Sequence, residues 1–248
     1  MKKRSRVRRL AKFVLRGGRR RVGAAGPIQT RPRLILFDFD GTLADTLLLG
    51  LEILNRLSSE FGFQPLPPSE LDSARDLSTR QLMKRLGIRR IKLPSISRRG
   101  TEEMGKQIET IRAFPGIAEL LAGLHSHGYR LGVLTSNSEE NVARFLAKQR
   151  LEVFEFIKSS SKLLGKGSVL RRIMREHKIK PRDILFIGDE LRDIEAAQET
   201  GVHIAAVTWG YNSTPALTEA EPDYLFTNPS EISDLLETMP IKVDVGDK

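Results

Sequence analysis

Apolar residues gather in short unbroken runs rather than in long periodic stretches. Leu34-Ile35-Leu36-Phe37 is the first, and Asp38-Phe39-Asp40-Gly41 ends it abruptly. Similar runs follow at residues 131–134, 184–187 and 204–207, with one interrupted by Glu155 at 154–157 and a shorter one at Tyr224-Leu225-Phe226. Runs of four or five apolar residues bounded by turn-forming residues read as strands buried on both faces, the habit of a parallel sheet. Between them the apolar spacing changes to three and four: Ile117, Leu120, Leu121 and Leu124 share one helical face, then Val142, Phe145 and Leu146, then Val169, Leu170, Ile173 and Met174. Strands alternating with helices predict an α/β, Rossmann-like parallel sheet covered by helices on both faces.

One stretch breaks the alternation. Residues 47–112 hold no strand-like run, only helical patterns at residues 47–61, 78–86 and 97–111, with Pro65, Pro67, Pro68 and Pro94 as punctuation. Ser78 and Gln81 have the spacing of a capping box. This predicts a small all-helical cap inserted after the first strand. The expected division is a flexible basic tail over 1–32, a core built from 33–46 and 113–240, the cap over 47–112, and a C-terminal tail over 241–248.

The 248 residues give ample length for a real core. There is no cysteine, which excludes disulfide scaffolds and thiol chemistry. The net charge of +10 is a property of one end: residues 1–33 carry thirteen Lys or Arg and no acid, leaving 28 basic against 31 acidic residues elsewhere. Within this end Val7, Leu10, Ala11 and Val14 fall on one helical face with Arg8, Arg9, Lys12 and Arg16 around them. A basic amphipathic segment of this kind suits RNA or an anionic membrane surface; a solvated extension is the plainer account. Lys12 and Arg16 interrupt the apolar stretch that a secretory signal needs. The expected location is cytoplasmic, or organellar if the arginine-rich, acid-free start is a transit peptide.

Polar residues collect where the predicted strands end. Asp38 and Asp40 follow the first, Thr135-Ser136-Asn137 the second, and Asp189 and Asp193 the fourth; Lys166 precedes the helix at Val169. In an open parallel sheet these carboxyl ends face one crevice. Asp38 and Asp40, two apart on a strand, are expected on one side. With Asp189 they form a cluster of acids that repel unless a cation joins them, and hard oxygen donors suit Mg²⁺. A carboxylate can also attack phosphorus, and Lys166, the Ser136 hydroxyl and nearby N–H groups would then serve the phosphoryl oxygens.

Asp38-Phe39-Asp40-Gly41-Thr42-Leu43-Ala44-Asp45-Thr46 resembles the first motif of the haloacid dehalogenase superfamily. Residues 134–138 resemble the second, Gly165-Lys166-Gly167 the third and residues 187–193 the fourth, in order along the chain. The cap position and Thr208-Trp209-Gly210-Tyr211-Asn212 resemble the phosphoglycolate phosphatase branch. The resemblance implies Asp38 as nucleophile and metal ligand. Asp40 would be general acid and base, binding the ion through its backbone carbonyl. Ser136 and Asn137 would contact the phosphoryl group, Lys166 would neutralise nucleophile and phosphate, and Asp189 and Asp193 would hold Mg²⁺. Gly167 departs from the proline often found after the lysine. An acid at position 40 is absent from the superfamily's dehalogenases, so it points away from them.

The expected function is a Mg²⁺-dependent phosphatase of a small phosphomonoester, a phosphorylated metabolite resembling phosphoglycolate, acting through an aspartyl-phosphate. Two alternatives stay open: a phosphosugar mutase of the same fold, and a non-enzymatic scaffold acting through the basic tail. Among Arg75, Arg80, Lys84 and Arg85 of the cap, Arg80 is the residue expected to meet a second anionic group on the substrate, a solvent-facing arginine being the competing account.

Overall fold

A computed structural model describes residues 28–160 and 165–240. The basic amphipathic segment and residues 241–248 lie outside the described residues. Six parallel strands, β1 (Leu34–Phe37), β2 (Arg130–Thr135), β3 (Phe156–Ser159), β4 (Ile184–Gly188), β5 (His203–Val207) and β6 (Tyr224–Phe226), form one sheet in the order β3-β2-β1-β4-β5-β6. β1 sits in the middle and all four of its residues are buried.

The period of two decides which face each residue serves. Ile35 and Phe37 join one apolar cluster with Leu131, Val133, Leu185 and Ile187; Leu34 and Leu36 join the other with Leu134, Ile184 and Phe186. The helical insertion holds α1 (Leu47–Phe61), α2 (Leu71–Arg75), α3 (Thr79–Arg85) and α4 (Leu93–Gln107). Next come α5 (Ile117–Ser126) and α6 (Glu139–Gln149), which with α10 (Ser230–Thr238) pack against the first cluster. The second cluster is covered by α7 (Gly165–Glu176), α8 (Leu191–Thr200) and α9 (Thr214–Glu219).

The cap joins the first cluster through Ile53, Leu57, Ile96 and Met104. Ser78 is the N-cap of α3, and its box with Gln81 is complete in both directions. Three expectations need correction. The fourth helix of the insertion begins at Leu93 rather than at 97, and its last expected turn is a 3-10 turn at Ile108–Thr110. Pro94 does not end a helix; it sits in the first turn, where its missing N–H would have had no partner. β3 lies two residues later than the apolar run at 154–157. It is an edge strand, hydrogen-bonded to β2 alone, and such a strand tolerates Lys158 and Ser159. Phe154 instead packs edge-on against Phe37, ring centroids 6.0 Å apart.

The body also starts before residue 33. Ile28 is buried and its N–H donates to the Tyr224 hydroxyl at 2.9 Å. The Arg31 N–H reaches Pro240 O at 3.0 Å, and the Arg33 N–H reaches Asp183 O at 2.7 Å. No helix among the described residues is long and apolar enough to cross a membrane.

Candidate active site

Asp38 directly follows β1, and its N–H donates to Ile187 O at 2.8 Å, extending the β1–β4 ladder by one step. Its parity is that of Leu34 and Leu36, so its side chain meets the layer that α7 covers. In the first turn of α7, Lys166 is buried with its ammonium 2.5 Å from Asp38 Oδ2 and 2.5 Å from Asp193 Oδ1. Asp193 lies in the first turn of α8, where Oδ2 accepts from the Glu190 N–H at 3.2 Å.

Asp189, at the end of β4, is held from two sides. Oδ1 accepts from the Thr42 hydroxyl at 2.7 Å and Oδ2 from the Tyr211 N–H at 2.7 Å. Gly41, with φ +78°, and Gly210 make this wrapping possible. A Cβ on either would stand 2.1 or 2.2 Å from Asp189 Oδ2, so only hydrogen fits.

Asp38, Asp189 and Asp193 each bring one oxygen within 4.8 Å of the others, and all three are buried. Asp38 Oδ2 pairs with the Lys166 ammonium and is sealed from solvent. Hard carboxylate oxygens with spare lone pairs in a confined space are the donor set of a divalent cation. Burial, then Glu190, Asp38 and Asp193, pushes the Asp189 carboxyl far above the usual range. Burial also raises Asp38 and Asp193, against the pull of Lys166. Burial works against the Lys166 charge, but Asp193 and Asp38 outweigh it and hold the ammonium above its ordinary value. The three acids therefore favour a cation, and the lysine stays charged beside them.

Asp40 is not part of this trio. β1 ends at Phe37, and the chain turns through residues 39–44, so the alternation that put Asp40 beside Asp38 no longer applies. Its carboxylate accepts from Asn137 Nδ2 at 3.2 and 3.1 Å. Burial raises its pKa, opposed by the hydrogen bonds of Asn137 and Thr46. A carboxyl held partly toward its neutral form suits proton donation. Asn137 is itself fixed: Oδ1 accepts from the Ser138 N–H at 2.8 Å and from Asn141 Nδ2 at 2.9 Å. Ser136 is half-buried, and its Oγ accepts from Arg192 Nη2 at 3.1 Å.

A cavity of about 320 Å³ opens between cap and core. Asp40, Ser136, Asn137, Glu190 and Arg192 contribute its polar side, and Leu54, Leu66, Leu82 and Met104 are among the apolar residues of the cap side. Asp38, Lys166, Asp189 and Asp193 lie buried outside this lining. Arg80 is exposed and does not line the cavity; Arg75 does. The two arginines stand on successive helices, Arg75 at the end of α2 and Arg80 in α3, and only the first turns toward the cavity. Lys84 and Arg85 are exposed as well, Arg85 pairing with Glu70.

Two features carry no role in the sequence reading. The first is Arg192, which sits inside the fourth motif. The second is the loop at 209–213, which clamps the cap. Arg75 donates from Nε to Tyr211 O at 3.1 Å and from Nη2 to Gly210 O at 2.9 Å. Asn212 Nδ2 returns bonds to Arg75 O at 2.7 Å and Leu77 O at 3.0 Å. The aromatic residues and the glycine of this segment were visible in the sequence, but their partners lie more than 130 positions away.

The model for haloacid dehalogenase-like hydrolases matches residues 35–207. A phosphoglycolate phosphatase of Synechococcus elongatus is 35% identical over 199 residues, spanning 80% of this chain and 94% of the relative. Phosphoglycolate phosphatase 1 of Pseudomonas aeruginosa is 28% identical, spanning 79% of this chain and 77% of its own. A solved structure described as a predicted phosphatase from Clostridium acetobutylicum superposes with a TM-score of 0.72 at 25% identity, covering 84% of this chain and all of that one. The matched span runs from the strand before Asp38 to the strand after Asp189, and with it the chain belongs to the haloacid dehalogenase-like hydrolase family.

Proposed function

We propose that this chain is a Mg²⁺-dependent phosphatase of a small phosphorylated metabolite, resembling phosphoglycolate phosphatase, and that Asp38 forms an aspartyl-phosphate. The observation that carries the reading is the buried group of Lys166, Asp38 and Asp193, with 2.5 Å ion pairs, beside Asp189. Asp38, Asp189 and Asp193 would hold the ion. When bound, it offsets carboxylate and phosphoryl charge so that anion can approach anion.

The chain's own residues supply the rest. A carboxylate oxygen of Asp38 attacks phosphorus, and the ester oxygen leaves with a proton from Asp40. Asp40 then takes a proton from the water that attacks the phosphoryl group on Asp38, which returns Asp38 as a free carboxylate and releases phosphate. Asn137 aims the Asp40 carboxyl. Lys166 keeps Asp38 charged and offsets phosphoryl charge. The hydroxyl of Ser136 accepts from Arg192, so its own proton is free for a phosphoryl oxygen. The names of the two phosphoglycolate phosphatase relatives support the substrate class.

The test is phosphate release from phosphoglycolate, sugar phosphates, nucleotides and a chromogenic aryl phosphate, with Mg²⁺ and with chelator. Turnover that needs Mg²⁺ and vanishes in Asp38→Asn is expected. Release of phosphate from none of them, or release that Asp38→Asn leaves intact, would overturn the reading.

A further inference from the structure

Resting on the phosphatase reading, we infer that Arg192 is an additional phosphoryl-binding residue: its guanidinium, set by Glu190, meets the transferring phosphoryl group beside the Ser136 hydroxyl.

Position gives the first support. Arg192 lines the cavity next to Ser136, Asn137 and Asp40. Its Nη2 is 3.1 Å from Ser136 Oγ and also pairs with Glu190 Oε1. A phosphoryl oxygen close enough to accept the Ser136 proton is therefore within reach of the guanidinium.

Spare donors give the second. Nη2 makes both protein contacts; Nε is buried without a hydrogen-bond partner. A guanidinium has five N–H groups in a fixed fork that matches two oxygens of one phosphoryl group. The other cationic side chain lining the cavity, Arg75, spends Nε and Nη2 on the carbonyls of Tyr211 and Gly210.

Charge gives the third. Asp38, Asp40, Asp189, Asp193 and Glu190 oppose Lys166 and Arg192, a formal excess of three negative charges. A divalent ion leaves one, and a phosphate dianion must still enter. Lys166 is already shared between two carboxylates. Arg192 is the cation left with unpaired donors at the cavity wall.

The placement also predicts which substrates feel the change. A guanidinium on the phosphoryl group acts on every ester; one on the leaving group acts only on esters bearing a second anion. The experiment compares wild type, Arg192→Gln and Arg192→Lys as full chains with Mg²⁺, using p-nitrophenyl phosphate and phosphoglycolate, and measures inorganic phosphate binding by calorimetry. Arg192→Gln should lower kcat/KM for both esters by a similar factor, about a hundredfold, the scale of a lost transition-state donor. It should weaken inorganic phosphate binding by at least about tenfold, while the Mg²⁺-induced rise in Tm stays. Arg192→Lys should fall between the two, because it keeps charge and loses the fork. Loss confined to phosphoglycolate, or phosphate affinity unchanged in Arg192→Gln, would overturn the inference. If Arg192→Gln does not fold, phosphate affinity in Arg192→Lys decides: weakened supports the fork, wild-type overturns it. Wild type turning over neither ester would instead remove the phosphatase reading itself, whatever the variants do.

Discussion

The Lys166 ammonium stands 2.5 Å from Asp38 Oδ2, and both groups are sealed from solvent in the layer beneath the cavity. Lys166 also meets Asp193 at the same distance, so one cation serves two carboxylates. Removing the cation and removing one acid therefore have opposite consequences.

Asp38→Asn is expected to abolish turnover yet leave Lys166 paired with Asp193, and to relieve repulsion among the acids. Its Tm without metal is expected at or above that of wild type. Lys166→Met strands two buried carboxylates, at a cost of about 3–5 kcal/mol, and its Tm without metal falls. Thermal melts in chelator decide this, and the opposite order would count against the ion-pair geometry.

Mg²⁺ should stabilise the protein by about 2.7 kcal/mol at a hundred times its Kd, and chelator should reverse the gain. Asp189→Asn should remove most of that response. Gly210→Ala should do the same while leaving every acid in the chain, because its Cβ would press on Asp189 Oδ2 and on Gly41 O, 2.2 and 2.3 Å away. Scanning calorimetry with and without Mg²⁺ reads both variants.

Asn212 connects cap, loop and α8. Its Oδ1 accepts from the Leu191 N–H at 2.9 Å while Nδ2 serves Arg75 O and Leu77 O. Asn212→Ala leaves these backbone groups short of partners in a buried place, for a loss of about 2–3 kcal/mol. Denaturant unfolding gives the loss, and faster proteolysis within residues 62–78 would show that the cap end is released.

Glu103 is buried in the cap, where it meets Lys106 at 2.6 Å, Arg56 at 3.1 Å and Arg99 at 3.3 Å. The hydrogen bond from Lys106, against burial and with help from the Arg99 and Arg56 charges, holds its carboxyl below the usual range. A depressed folded pKa stabilises above the unfolded value of about 4.3 and loses that contribution as pH falls through the folded one. Glu103→Gln should melt earlier than wild type at pH 7, with the gap closing below about pH 4. A gap independent of pH would show that shape rather than charge matters there.

The strands, their parallel arrangement and the helical insertion follow from the chain alone, because burial on both faces demands apolar runs and the covering helices demand a period near 3.6; the order of the strands around β1 does not. Asp38, Lys166, Asp189 and Asp193 were legible for a related reason: each sits at the end of a buried run or in the first turn of a helix, where a polar residue is conspicuous. Tertiary structure decided what spacing does not encode. Asp40 leaves the acidic trio because the strand stops before it. Arg75 rather than Arg80 reaches the cavity, because rotation of two short helices sets which side chain faces inward. Arg192 and the loop at 209–213 owe their importance to groups between 56 and more than 130 positions away. Local pattern reports which face of an element is apolar; only packing brings distant polar atoms within hydrogen-bond reach.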